Sequence, residues 1–255
     1  MALTLTPVAA LRDNYIWVVD DGRSALVIDP GEARPVSRLL SSHRLHLAGL
    51  LLTHHHADHI GGVAALKAMS PNCKVIGCAA DVGPLLTHPC QDGDRLIIDN
   101  MDLTIEVLAV PGHTLHHLAY RIGNWLFCGD TLFGAGCGRL FDGTAEQLYQ
   151  SLQRLAALPD DTQICCAHEY TLGNLAFAAE LEPDNPHIQA RISRDRGARQ
   201  RGEPTLPSTL GEEKLTNPFL RCHLPQLQRA VGIENGNNVT AFTLMRQMKD
   251  IFRTA

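Results

Sequence analysis

The chain has 255 residues, 45% of them apolar and only 5% aromatic, so it is long enough for one large or two smaller domains around a core of Leu, Ala, Val and Ile. Its net charge of −5 speaks against general nucleic-acid binding, and it has no unbroken apolar run of the roughly 18 residues that a membrane span needs. Its eight cysteines, at 73, 78, 90, 128, 137, 165, 166 and 222, contain no Cys-x-x-Cys pair and sit mostly in apolar runs, which argues against a cysteine zinc ribbon and fits reduced thiols in a cytoplasmic protein.

The N-terminal stretch Met1-Ala2-Leu3-Thr4-Leu5-Thr6-Pro7 lacks a basic region and reads as a first strand. Residues 15–20 and 24–29 predict paired strands around the turn Asp21-Gly22. A short helix with Val36, Leu39 and Leu40 as its apolar stripe follows Asp29-Pro30-Gly31. The apolar run 47–52 then predicts a buried strand, and it leads into Thr53-His54-His55-His56-Ala57-Asp58-His59.

Alternate residues of an extended chain point to one side, so His54 and His56 can offer both imidazoles to one metal. Asp58 and His59 come after the chain has turned and can serve a neighbouring position. Imidazole with carboxylate suits zinc, iron or manganese. His55 is expected to face away.

A helix is expected over roughly 62–69, and short strands at 74–76 and 96–98. A longer strand over 103–110 runs into Pro111-Gly112-His113-Thr114. Strands at 118–122 and 125–128, joined by Gly123-Asn124, run into Gly129-Asp130-Thr131. Thr144-Ala145-Glu146-Gln147 is a capping-box pattern, and Leu148, Leu152 and Leu155 follow at helical spacing. A strand at 163–167 leads into His168-Glu169-Tyr170. From about 171 strand signals stop, and helices are expected at 172–182, 187–200, 209–214, 223–230 and 238–253. The basic run of Arg191, Arg194, Arg196, Arg199 and Arg201 reads as a solvated helix face. His43, His46, His88, His187 and His223 read as ordinary surface or core side chains.

Four predicted strands thus each end in a metal-competent residue: His54-x-His56, His113, Asp130 and His168. With Asp58 and His59 they supply five imidazoles and two carboxylates, enough for two adjacent metals with room for solvent. Asp130 is the natural bridge, since a carboxylate has two oxygens to share. Two metals roughly 3.5–4 Å apart can hold a hydroxide and polarise a carbonyl, so a thioester, ester, amide or phosphodiester can be cleaved without a serine triad.

Thr-His-x-His-x-Asp-His, a later Pro-Gly-His-Thr, Gly-Asp-Thr and a final His-Glu-Tyr resemble the metallo-β-lactamase superfamily. Within it, Asn14-Tyr15-Ile16-Trp17, Asp29-Pro30-Gly31, the stretches 129–133, 136–139 and 168–171, and the C-terminal stretches 202–209 and 217–221 resemble the hydroxyacylglutathione hydrolase (glyoxalase II) family. The resemblance spans nearly the whole chain. It implies an α/β fold: an αββα metallo-β-lactamase sandwich over residues 1–170, followed by a helical substrate-binding domain over 171–255. It implies hydrolysis of S-D-lactoylglutathione to glutathione and D-lactate by a metal-bridging hydroxide, in methylglyoxal detoxification, with Asp58 and Asp130 catalytic. His54, His56 and His113 would hold one metal and Asp58, His59 and His168 the other, with Asp130 bridging. Two divalent ions per chain are implied, zinc ahead of iron or manganese. Arg139, Tyr170 and Arg221 match positions that hold glutathione, and Phe141 stands where some members have Tyr. His116 replaces a usual Gly, so backbone strain is expected there if that Gly is left-handed. His117 is expected to support the ligands from behind them. A monomer without nucleic-acid or membrane partners is expected. A single-iron sulfur dioxygenase is the alternative within the superfamily, and a non-catalytic metal-binding module the alternative outside enzymes.

Overall fold

The structure is a computed structural model that describes residues 3–234 and 236–253. Met1 and Ala2, with which the expected first strand begins, lie outside the described residues, as do the last two of the helical region. Chain contacts divide the protein into two compact units. One takes the residues up to Ala109 together with His116–Gly129, and the other takes Val110–Leu115 with everything from Asp130 on.

The first unit carries a sheet in the order β1-β2-β3-β4-β5-β6. Its strands are β1 Thr4–Ala10, β2 Asn14–Asp20, β3 Ser24–Ile28, β4 His46–Leu51, β5 Lys74–Gly77 and β6 His88–Pro89. The first three are antiparallel, and β3 to β6 run parallel. Helices α1 Ala33–His43, α2 Ala57–Ile60, α3 Val63–Met69 and α4 Ala79–Val82 complete this part. Val36 and Leu40 of α1 and Val63 and Leu66 of α3 are buried in one cluster with Val18, Val27, Leu50, Leu52 and Val75 of the strand region, and Leu39 packs at its edge. Each such side chain contributes roughly 1.5–3 kcal/mol on full burial. Strands β7 Arg95–Ile98, β8 Leu103–Ala109, β9 Leu118–Ile122 and β10 Trp125–Gly129 follow as an antiparallel run.

The second unit opens its helical part with α5 Ala145–Ala156. Its capping box is formed as the sequence predicts: Thr144 Oγ1 accepts from Gln147 N, and Gln147 Oε1 accepts from Thr144 N. Leu148, Leu152 and Leu155 are wholly buried on one face. Before α5, β11 Leu132–Phe133 and β12 Gly136–Cys137 make a small hairpin. Strand β13 Gln163–Cys166 and helices α6 Thr171–Leu181, α7 Pro186–Gln200, α8 Leu210–Thr216, α9 Pro225–Ala230 and α10 Asn238–Ile251 follow the expected series. The one departure is β14 Ser208–Thr209, which pairs with β13. Two residues are too few to show an alternating pattern.

Arg191 corrects a second expectation. It is not solvated but only 2% exposed, and donates to Glu213 Oε1 at 2.7 Å, Thr216 Oγ1 at 2.7 Å and Asp195 Oδ2 at 3.3 Å. Burial alone would lower its pKa, but the carboxylates of Glu213, Glu212 and Asp195 raise it, so the guanidinium stays charged.

Candidate metal centre

The loop after β4 stands at the carboxyl end of a parallel strand, where open α/β sheets place their ligands. His54 is fully buried and His56 half-buried, with His54 Nε2 3.0 Å from His56 Nδ1. The two rings therefore converge, as alternation along an extended chain predicts. The chain then turns into α2, which carries Asp58 and His59, and His59 Nε2 lies 3.6 Å from Asp58 Oδ2. His55 points elsewhere and meets Asp81 of α4 at 2.8 Å.

A carboxylate from the neighbouring strand end braces this loop. Asp29 follows β3, is 4% exposed and has a left-handed φ of 52°. Its Oδ1 accepts from Thr53 N at 2.8 Å, and its Oδ2 accepts from Thr53 Oγ1 at 2.7 Å and meets His59 Nδ1 at 3.0 Å. A carboxylate on Nδ1 keeps the proton there and leaves Nε2 as a lone-pair donor. Asn14 Nδ2 donates to Asp58 Oδ2 at 3.1 Å. The next turn needs a glycine, because a Cβ on Gly31 would collide with the Asp58 carbonyl. The sequence assigned no role to Asn14 or Asp29. The available signal was a polar residue at the end of a strand next to the histidine loop.

In the second unit, His113, Asp130 and His168 come from three separate segments. His113 Nε2 lies 3.4 Å from Asp130 Oδ2, and His168 Nε2 lies 3.4 Å from Asp130 Oδ1. Asp130 thus presents one oxygen to each imidazole. His113 Nδ1 lies 2.8 Å from the Arg139 carbonyl and donates to it, which frees Nε2. Helix α5 supports the backbone before His113: Gly112 has φ 144°, a Cβ there would strike Leu148, and Ser151 Oγ donates to the Pro111 carbonyl at 2.7 Å.

Ligand-competent atoms fall into two groups, His54, His56, His113 and Asp130 in one and Asp58, His59 and His168 in the other, all within 4.8 Å of one another inside a group. This is a nitrogen and oxygen donor set suited to two borderline or hard divalent ions. The thiols take no part in it: burial pushes Cys90 and Cys137 each up to about 11 and Cys222 higher still, so these three stay protonated at neutral pH.

The residues expected to hold glutathione differ in what surrounds them. Tyr170 is 40% exposed and stacks on His168 with centroids 4.8 Å apart. Phe141 is 65% exposed, with its ring edge-on to His113 at 5.0 Å. The Arg139 guanidinium is exposed, 3.6 Å from Asp250 Oδ1. Arg221 is held by the fold. Glu182 grips both arms of its fork at 2.6 and 2.8 Å, and the Leu215 carbonyl takes a third bond at 3.1 Å. These contacts give it a structural role beside the expected one of a substrate cation, with two of the five guanidinium donors outside these bonds. His116 departs from expectation. It is not among the described non-glycine residues with positive φ, so it carries no left-handed strain. His117 is buried and stacks on His54 with centroids 4.7 Å apart.

Comparison with known proteins agrees with this layout. Residues 10–168 match the metallo-β-lactamase superfamily, and residues 169–252 match the hydroxyacylglutathione hydrolase C-terminus. The hydroxyacylglutathione hydrolase of Aliivibrio salmonicida is 48% identical over 98% of this chain and 100% of its own length. That of Nitrosomonas europaea is 46% identical over 98% of this chain and 97% of its own. Among solved structures, ETHE1 from Myxococcus xanthus superposes with a TM-score of 0.67 at 25% identity, covering 98% of this chain and 91% of that one. TTHA1623 in a di-iron-bound form gives 0.62 at 26% identity over 84% of this chain and 99% of that one. The chain belongs to the metallo-β-lactamase superfamily and, within it, to the hydroxyacylglutathione hydrolase family.

Proposed function

We propose that this chain hydrolyses S-(2-hydroxyacyl)glutathione thioesters, S-D-lactoylglutathione first among them, to glutathione and the hydroxy acid, D-lactate, in methylglyoxal detoxification. The observation that carries the reading is the pair of donor groups, His54/His56/His113/Asp130 and Asp58/His59/His168, in a chain of this family. Two divalent metals in those groups would lower the pKa of a water and polarise the thioester carbonyl. Zinc suits the imidazole and carboxylate donors, ahead of iron or manganese. All seven donors come from one chain, so the reading needs no partner subunit.

The chain's own residues set the conditions for that chemistry. Asp29 and the Arg139 carbonyl hold His59 and His113 with Nε2 directed at the metals. Asp130 divides its oxygens between the two groups, and Asn14 holds Asp58 from behind. Tyr170 and Phe141 present aromatic surface beside His168 and His113. Glutathione carries two carboxylates, and the acidic chain offers them no general attraction, so local cations must hold them. With Arg221 engaged by Glu182, Arg139 and Lys249 take that role. Burial first, then the nearby Arg246 and Arg139, push the Lys249 ammonium down to about 8, and it donates to the Gly173 carbonyl at 3.2 Å between the Phe177 and Phe252 rings. Residues 171–255 act as the substrate-binding part. No helix among the described residues is long and apolar enough to cross a membrane, and the chain is read as acting in the cytoplasm.

The test follows the loss of thioester absorbance on adding S-D-lactoylglutathione, with and without chelator. Hydrolysis that the chelator abolishes is the expected result. Hydrolysis that survives full metal removal, or none in the metal-loaded protein, contradicts the reading.

A further inference from the structure

The helical region does more than bind substrate. The hairpin β11–β12 separates Asp130 from Arg139, and the hairpin or the residues flanking it meet His113, Asp130 and His168. Asp130 lies two residues before β11. The Arg139 carbonyl, just past β12, holds His113 Nδ1. Phe133 sits edge-on to His168 at 5.9 Å and to Tyr170 at 5.3 Å. Gly138 N donates back to the Thr131 carbonyl at 3.2 Å, and a Cβ on Gly138 would collide with the Asp130 carbonyl.

This hairpin is too short to hold itself. Two residues on each side form its ladder, and Ala135 at its tip has a left-handed φ of 53°. Such a conformation is strained in a non-glycine residue and persists only when its surroundings enforce it. The enforcing groups are buried polar side chains of the helical region. Glu213 of α8 is fully buried and accepts from Ala135 N at 2.7 Å. Asn217, also fully buried, donates to the Phe133 carbonyl at 3.3 Å, the Gly136 carbonyl at 2.9 Å and Glu213 Oε2 at 3.2 Å. Asn174 of α6 donates to the Gly134 carbonyl at 3.0 Å. Arg191 and Ser208 in turn fix the other oxygen of Glu213, at 2.7 and 2.6 Å. The three side chains take up the donors and acceptors of the hairpin's turn. A buried charge at Glu213 is costly unless each of its oxygens is bonded, and here each one is.

We propose that Glu213, Asn217 and Asn174 are positioning residues for the metal centre. They clamp the β11–β12 hairpin so that Asp130, His113 and His168 keep the spacing that two metals require. The proposal rests on the reading of those three residues as ligands. It predicts that loosening the clamp lowers metal affinity without altering how glutathione is held.

The experiment titrates zinc into the metal-free full-length chain, well below its melting temperature, for wild type, Glu213→Gln, Asn217→Ala, Asn174→Ala and the control Arg194→Ala. Arg194 pairs with Glu212 at the rim of the same network and does not touch the hairpin. Metal dissociation constants should rise about tenfold or more for Glu213→Gln and Asn217→Ala, in the range seen when support behind a ligand is lost. Asn174→Ala, which deletes one bond and should fold, should show about a threefold rise. Arg194→Ala should match wild type. At limiting zinc, kcat should fall with metal occupancy while KM for S-D-lactoylglutathione stays put, and excess zinc should restore kcat. Unchanged zinc affinity in folded Asn174→Ala and in whichever of the other two variants folds overturns the proposal. So does a raised KM at full metal occupancy, which would assign these residues to substrate. If wild type itself fails to take up two zinc ions, the ligand reading falls and the clamp with it. Two ions in wild type and equal affinity in the variants removes the clamp alone.

Discussion

The two ligand-bearing regions are built on different plans. His54, His56, Asp58 and His59 lie on one continuous stretch, the loop after β4 and helix α2, braced by Asp29 just past β3 and Asn14 at the start of β2. His113, Asp130 and His168 come from three segments spread over more than fifty residues, tied by a short hairpin that polar side chains of the helical region hold. The first plan depends on alternation along an extended loop and one tight turn. The second depends on tertiary contacts. In the continuous stretch one short motif carries four candidates, whereas in the second region each candidate comes with a separate short motif and only the fold brings them together.

The contrast breaks most sharply at Asp130. Asp130→Ala should drop kcat/KM by roughly a thousandfold or more, since metals supply several kcal/mol of charge stabilisation and this carboxylate serves both groups. Far-UV circular dichroism should stay near wild type, and metal content should fall. Near-normal turnover would mean that Asp130 is not the shared ligand.

Arg221→Ala separates fold from substrate binding. The Arg221–Glu182 pair is nearly buried, at 13% and 6% side-chain exposure. Removing one partner of such a pair costs about 3 kcal/mol or more. The melting temperature should drop by several degrees while KM for S-D-lactoylglutathione hardly moves. A raised KM at unchanged stability would return Arg221 to the substrate.

Asp29→Asn tests the continuous loop. Without the carboxylate on Nδ1, His59 loses its fixed tautomer, and affinity for the metal it serves should fall roughly 10–100-fold. Elemental analysis after dialysis should then find about one metal retained where wild type keeps two. Full retention by the variant would limit Asp29 to bracing Thr53.

Lys249 gives the smallest effect. Its ammonium is charged below about pH 8 and neutral above it. KM for the anionic thioester should therefore rise as pH passes above about 8, and Lys249→Met should show a KM about tenfold higher at neutral pH with that rise gone, as for a lost charged hydrogen bond. A wild-type KM that is flat across that range would take Lys249 out of the site.

Five of the seven ligand candidates, His54, His56, His113, Asp130 and His168, were legible because they follow the ends of apolar runs, and Asp58 and His59 because they continue the first of these stretches past its turn. Helix α5 was legible for the same reason, its capping box and leucine stripe being local patterns. What stayed hidden depends on distant partners. Arg191 looked like one more surface arginine of a basic run, and only Glu213, twenty-two residues on, explains its burial. Glu213 shares a face of α8 with Leu210, a charge at core spacing that a hydrophobic pattern reads as an interruption. Arg221 followed a family stretch, but its partner Glu182 lies thirty-nine residues earlier. His116 was judged by the glycine it replaces, whereas the left-handed backbone in that turn belongs to Gly112.

In the function proposed above, two metals drive thioester hydrolysis together. Zinc added stepwise to chelator-stripped protein, with S-D-lactoylglutathione absorbance and bound metal followed in the same samples, should raise activity until it saturates at two zinc ions per chain. Full activity at one ion per chain, or two bound ions without hydrolysis, would contradict it.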